Sequence, residues 1–135
     1  MKKLLSTKYS AGAVSAALLI LRLAMGILMM NHGFDKLMHF GAKHNHFMNF
    51  LGIGSSLSYS LVIFAEFFCS LFLILGLFTR LATIPLIIVM AIALFKAHNG
   101  LVFGNGEVVT LYLAGFVAIL LVGPGKVSID SMVGK

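Results

Sequence analysis

Hydrophobic residues run almost unbroken through four stretches, 11–33, 57–78, 81–95 and 108–122, and polar residues gather in the connections between them. A helix needs about 20 apolar residues to cross a bilayer. The first two stretches reach that length; the last two are shorter and rely on Arg80, Lys96 and Glu107 lying at the interfaces with side chains reaching outward. The pattern predicts an all-α integral membrane protein, a four-transmembrane-helix bundle with helices over about 11–33, 57–78, 81–97 and 107–123, in a single domain covering 1–135. "GLFTRLATIP" reads as a tight turn, and the glycines and asparagines of "KAHNGLVFGNGE" are turn chemistry. The longer connection, "LMHFGAKHNHFMNFLGIGSS", carries Phe47, Phe50 and Leu51 at helical spacing, which predicts a short interfacial helix between helices 1 and 2. The start, "MKKLLSTKYSAGAVSAALLILRLAMG", has the basic head and apolar middle of a signal peptide, but the apolar run continues past Arg22 to a full span and is read as the first helix.

Charges inside this pattern mark the candidate chemistry. Arg22 lies about 18 Å before the expected end of the first helix, and Glu66 about 14 Å after the start of the second, at 1.5 Å per residue. The two helices run antiparallel, so the charges are expected at one depth, as a buried ion pair. Each alone would cost roughly 2.5–3.5 kcal/mol at the helix centre. Ser15, Arg22, Gly26, Met29, Gly33 and Lys36 share one face of the first helix, a stripe suited to helix contact in lipid; Glu107, Thr110, Ala114 and Ala118 offer a similar face on the fourth. At the outer end, His32, Asp35, Lys36, Lys96, His98 and Glu107 all belong to helix ends and would form a polar mouth over the Arg22 and Glu66 level. Arg22, Glu66, His32, Lys36, Glu107 and His98 are therefore the candidate ligand-binding residues, for the polar head of a quinone or for protons. Phe64, Phe67, Phe68, Met25 and Met29 would supply an apolar lining. No residue is assigned a catalytic role.

Composition supports the membrane reading and narrows the function. Of 135 residues, 60% are hydrophobic and 10% charged, against roughly 25% charged in soluble domains. The net charge of +6 comes from basic residues scattered at the ends of apolar runs, without the basic patch and stacking aromatics of nucleic-acid binding, so no nucleic-acid partner is expected. Cys69 is the only cysteine, which excludes an intrachain disulfide or dithiol relay and suits a small core residue. "HFGAKHNH" has three histidines but no recognised ligand spacing, and no metal site is expected. Lys2, Lys3, Lys8, Arg80, Lys126 and Lys135 fall on one side of the bundle, against Lys36, Lys43 and Lys96 on the other. The positive-inside rule then places both termini in the cytoplasm and all five histidines outside.

These residues also resemble a known family. "RLAMGILMMNHGFDKL" (Arg22, Gly26, His32, Gly33, Lys36), "AEFFCSLFLILGLFTR" (Glu66, Gly76, Thr79, Arg80) and "GPGKVSID" (Gly123, Pro124, Gly125, Ser128, Asp130) together resemble the DoxX family of small four-span bacterial membrane proteins. The resemblance implies a multi-pass bundle in the bacterial cytoplasmic (inner) membrane, akin to the membrane subunit of archaeal thiosulfate:quinone oxidoreductase. It points to a membrane subunit of a redox-linked complex, with the lipid bilayer, an oxidoreductase subunit and a quinone as the implied surroundings, and a homo-oligomer as a further expectation. The alternatives are a non-enzymatic assembly or helper protein whose buried charges are structural, and a small-molecule carrier, disfavoured by the apolar cytoplasmic halves of the helices.

Overall fold

The computed structural model describes residues 4–43, 54–97, 100, 102–104 and 106–134. Among the described residues, the secondary structure is helical and no strand occurs. Four main helices form: α1 (Ala11–Met38), α2 (Ser55–Leu75), α3 (Thr79–Lys96) and α4 (Glu107–Val122). The first three are long and apolar enough to cross a membrane; α4, with 16 residues, is apolar but shorter. The interfacial helix expected between α1 and α2 falls mostly on 44–53, outside the described residues. Before that stretch lies one helical turn, Phe40–Lys43, whose Phe40 ring stacks on Tyr59 with centroids 5.7 Å apart.

Local chemistry sets the helix ends. Ser10 caps α1 by accepting from the Ala13 amide at 3.1 Å. At the end of α2, Gly76 turns left-handed at φ +71°, and the Gly76 and Leu77 amides donate to the Leu73 and Phe72 carbonyls. Only glycine adopts that conformation without strain. Chain direction then reverses within three residues. The Asp130 carboxylate accepts from the Phe78 and Thr79 amides at 2.8 and 2.9 Å, which caps α3 and sets a negative charge at its N-terminus. The Asp130 amide donates to the Gly76 carbonyl at 2.9 Å, so the segment after α4 folds back over the α2–α3 turn. Replacing Asp130 with Ala is expected to lower stability by about 1–2 kcal/mol, and with Asn by less, measured by thermal unfolding in detergent.

Neighbouring helices alternate in direction. The core joins Met29 of α1, Ala65, Cys69 and Leu73 of α2, Ala82, Leu86 and Met90 of α3, and Tyr112, Phe116 and Ile119 of α4. On α1 the buried face is Leu18, Arg22, Gly26, Met29 and Gly33; four of these belong to the stripe its periodicity predicts, whose Ser15 and Lys36 are half-buried, and Leu18 joins it. The expected α4 face is overturned. Glu107, Ala114 and Ala118 are exposed, and the buried stripe is Tyr112, Phe116 and Ile119. Only Gly115 makes a close approach there, with Met25 seated where its Cβ would be. A helix that fills a bundle's core brings bulk inward, and small residues can face lipid, because without water no hydrophobic penalty drives them in. The exposed apolar residues, such as Ile20, Ile27, Ile84, Ile88 and Leu121, are what a chain surrounded by lipid presents.

Candidate functional site

Two polar clusters occupy opposite ends of the bundle. At the end carrying the α2–α3 turn, Arg22 is 2% exposed and held entirely by backbone oxygens. Its Nε donates to Leu73 O at 3.0 Å, its Nη2 to Ile74 O at 3.2 Å, and its Nη1 to Pro124 O at 2.8 Å and Val127 O at 2.7 Å. Four of the five guanidinium donors are thus used, on the last turn of α2 and on "GPGKVSID". The planar fork ties these segments together, and the cation sits where the α2 carbonyls carry partial negative charge.

The expected Arg22–Glu66 pair does not form. Glu66 instead accepts from Lys36 Nζ at 2.6 Å, in an ion pair whose side chains are 5% and 28% exposed respectively. The reason is depth. Helix α1 runs on to Met38 rather than ending near 33, and the residue level with Glu66 is Gly33, which lies about 16 Å along the helix from Arg22 at 1.5 Å per residue. A Cβ at Gly33 would stand 2.6 Å from the Glu66 carbonyl carbon and from the Phe67 amide nitrogen. The two backbones therefore touch there, and Lys36, less than one turn further on, meets the carboxylate.

Glu66 stands in a π-helical turn, Phe64–Cys69, and a second one, Ala93–Ala97, interrupts the end of α3. Such widened turns re-aim side chains and are frequent at functional sites. Both border one cavity of about 200 Å³, lined by Met29, His32, Lys36, Glu66, Met90 and Tyr112 among others. The His32 ring meets Tyr112 edge-on with centroids 6.1 Å apart, and Tyr112 stacks on Phe116. The Tyr59 hydroxyl donates to Lys36 O at 3.0 Å, bracing the end of α1 behind the ion pair.

Of the candidate residues, the fold brings His32, Lys36 and Glu66 together. Arg22 lies at the other end, Glu107 is exposed at the start of α4 outside the cavity lining, and His98 lies outside the described residues. Of the expected apolar lining, Met29 alone borders the cavity; Met25, Phe64, Phe67 and Phe68 do not. Tyr112, Tyr59 and Met90 carry no signal that sequence reasoning used. A tyrosine inside an apolar run was one available clue, since a buried hydroxyl demands a partner. Among the described residues, no group of three or more histidines, cysteines, aspartates or glutamates is placed to hold a metal ion.

An apolar helical bundle with a polar cavity at one end and a basic clamp at the other defines a polytopic membrane protein. The DoxX family model matches residues 17–99, well over half of the chain, and the chain belongs to that family. The match spans the first two sequence motifs and all of α3, while "GPGKVSID" lies beyond it. No curated protein and no solved structure matches the chain.

Proposed function

We propose that the cavity at the Lys36–Glu66 end binds the polar head of an amphipathic molecule, with a quinone as the leading case, and that the chain serves as a membrane subunit beside an oxidoreductase partner. The Lys36–Glu66 ion pair on the wall of that cavity carries the reading. A desolvated ion pair is no more stabilising than a well-packed apolar pair of the same volume. Ionisable groups at membrane depth that border a cavity are functional candidates on that ground. The cavity's about 200 Å³ lies below the 300–1,000 Å³ of sites that enclose whole drug-sized ligands, which suits a head group whose tail stays in lipid. Lys36 and Tyr112 offer donors, Glu66 an acceptor, and Met29 and Met90 the apolar walls. In this reading the Lys36 end faces outward from a bacterial inner membrane and both termini are cytoplasmic, as the distribution of basic residues favours.

The test is gentle extraction from native membranes, with mass spectrometry of the co-purifying polypeptides and lipophilic molecules, repeated on Glu66→Gln. A quinone is expected with the wild-type protein, depleted roughly tenfold or more in the variant, the loss corresponding to one charge-assisted hydrogen bond. Wild-type protein carrying bulk lipid alone refutes the reading.

The helper reading is favoured by one observation: Arg22 spends its donors on backbone carbonyls and is architectural. It requires the same of the Lys36–Glu66 pair. Joint replacement of both by Met should then leave cellular function intact, whereas ligand binding predicts its loss. The carrier reading is disfavoured by Met29 and Cys69, which lie in the core between the two polar clusters.

A further inference from the structure

The clamp end holds a second cavity of about 200 Å³, lined by Phe78, Thr79, Arg80, Leu81, Pro124 and Asp130. Three features make it more than a surface crevice. Arg80 is exposed, its guanidinium packs over Gly123, and its hydrogen bonds are two from Nη2, to Val122 O at 3.2 Å and Leu121 O at 3.5 Å, which leaves the Nε and Nη1 donors for a ligand. Asp130, 8% exposed, also lines the cavity, its carboxylate held by the Phe78 and Thr79 amides and near the Arg22 charge. The Thr79 hydroxyl, in a residue 1% exposed, has no hydrogen-bond partner within the described structure. A buried hydroxyl left in that state costs free energy.

The cavity opens at the end of the bundle where Lys8 and Lys126 also lie exposed, the level of lipid head groups. From it, Leu81, Ile84 and Ile88 form an exposed apolar line along one face of α3, at 67%, 43% and 52% exposure. A positive group beside a negative one, at the head of an apolar stripe, matches a lipid whose head group carries both charges. A phosphate alone would meet Arg80 but also Asp130; a choline head group would offer Asp130 no donor.

We propose that this cavity binds the phosphoethanolamine head group of a phospholipid, with the phosphate on Arg80, the primary ammonium on Asp130, and an acyl chain along Leu81, Ile84 and Ile88. The site is at the opposite end of the bundle from the Lys36–Glu66 cavity and stands or falls independently of it. The purified protein is reconstituted in vesicles with equal parts of phosphatidylethanolamine, phosphatidylcholine and phosphatidylglycerol, and retained lipids are read by native mass spectrometry. Phosphatidylethanolamine should be retained about tenfold over phosphatidylcholine, the worth of one charge-assisted contact. Arg80→Gln, which removes the phosphate contact, should lower phosphatidylethanolamine retention about tenfold, and Arg80→Lys, which keeps the charge and controls for folding, should keep much of it. Equal retention of phosphatidylcholine, retention of phosphatidylglycerol at or above phosphatidylethanolamine, or unaltered phosphatidylethanolamine retention in Arg80→Gln overturns the proposal. Millimolar glycerophosphoethanolamine should leave the retained lipid in place; displacement by it overturns the lipid as occupant and assigns the cavity to a soluble ester of the same chemistry.

Discussion

Arg22→Met is expected to free the segment after α4 from the bundle. The substitution keeps an unbranched apolar stem of similar reach but removes four hydrogen bonds, leaving Ile74 O, Pro124 O and Val127 O without the guanidinium and Leu73 O with the Gly76 amide alone. Breaking one side of a buried charged network costs roughly 3–5 kcal/mol. The consequence should be local first. Segment 123–134 should become sensitive to protease in detergent, and thermal unfolding should then shift down. Arg22→Lys should restore little, because an ammonium on a flexible stem cannot span carbonyls of two segments as a planar fork does. The exchange Arg22→Glu with Glu66→Arg should not rescue either single change, since neither residue is the other's partner. Rescue by the exchange would place the two charges in contact and refute the clamp.

Gly33→Ala should be the most damaging single-methyl addition among the glycines of α1. Its Cβ would collide with backbone of α2, at 2.6 Å from the Glu66 carbonyl carbon and the Phe67 nitrogen, and backbone cannot swing aside. Separating α1 from α2 at this level also pulls Lys36 away from Glu66. The cost is expected at about 2–3 kcal/mol, the upper range for overpacking. At Gly26 the nearest atom is the Ile74 Cγ1 at 2.7 Å, the side chain of which can rotate, although Ser70 O at 3.1 Å limits the relief; Gly26→Ala should cost less. Gly12 has nothing within 4 Å, and its alanine variant should be neutral. Thermal unfolding of the three variants in one detergent checks this order. If Gly33→Ala unfolds no earlier than Gly12→Ala, the backbone contact does not exist. A quinone retained by Gly33→Ala at wild-type level would separate the helix contact from the proposed binding site.

The helices were legible because their signal is local. Long apolar runs in a chain of mean hydropathy +1.05 leave little choice but spanning helices, which satisfy every backbone group within one segment. The buried stripe of α1 was legible for the same reason: 100° per residue fixes which side chains share a face, whatever packs on it. On α4 that reasoning misled, because a stripe of small residues and a stripe of large ones are equally periodic, and which turns inward depends on the space the other three helices leave.

What depended on two helices at once was not legible. Helix ends are the least local feature of an apolar run, and extending α1 by five residues, from 33 to 38, moves its charges by about 7 Å relative to α2. The extension alone does not carry Arg22 past Glu66; the close approach of Gly33 to the Glu66 backbone sets the register, and Lys36 becomes the partner. The π-helical turns have no compositional signature; they follow from how α2 and α3 settle against their neighbours, and they decide where Glu66 points.

Residue sequence alone thus determined a membrane-embedded helical bundle of the DoxX pattern, the face α1 buries, and the presence of charges that a low-dielectric interior must pair. Tertiary structure decided the pairing. It tied Arg22 to carbonyls of α2 and of a segment about a hundred residues away, Glu66 to Lys36 beside a cavity, and Asp130 to the start of α3. Periodicity is written residue by residue, whereas the depth at which two helices meet is set by their close backbone approach at Gly33, a contact between distant parts of the chain that no single stretch encodes.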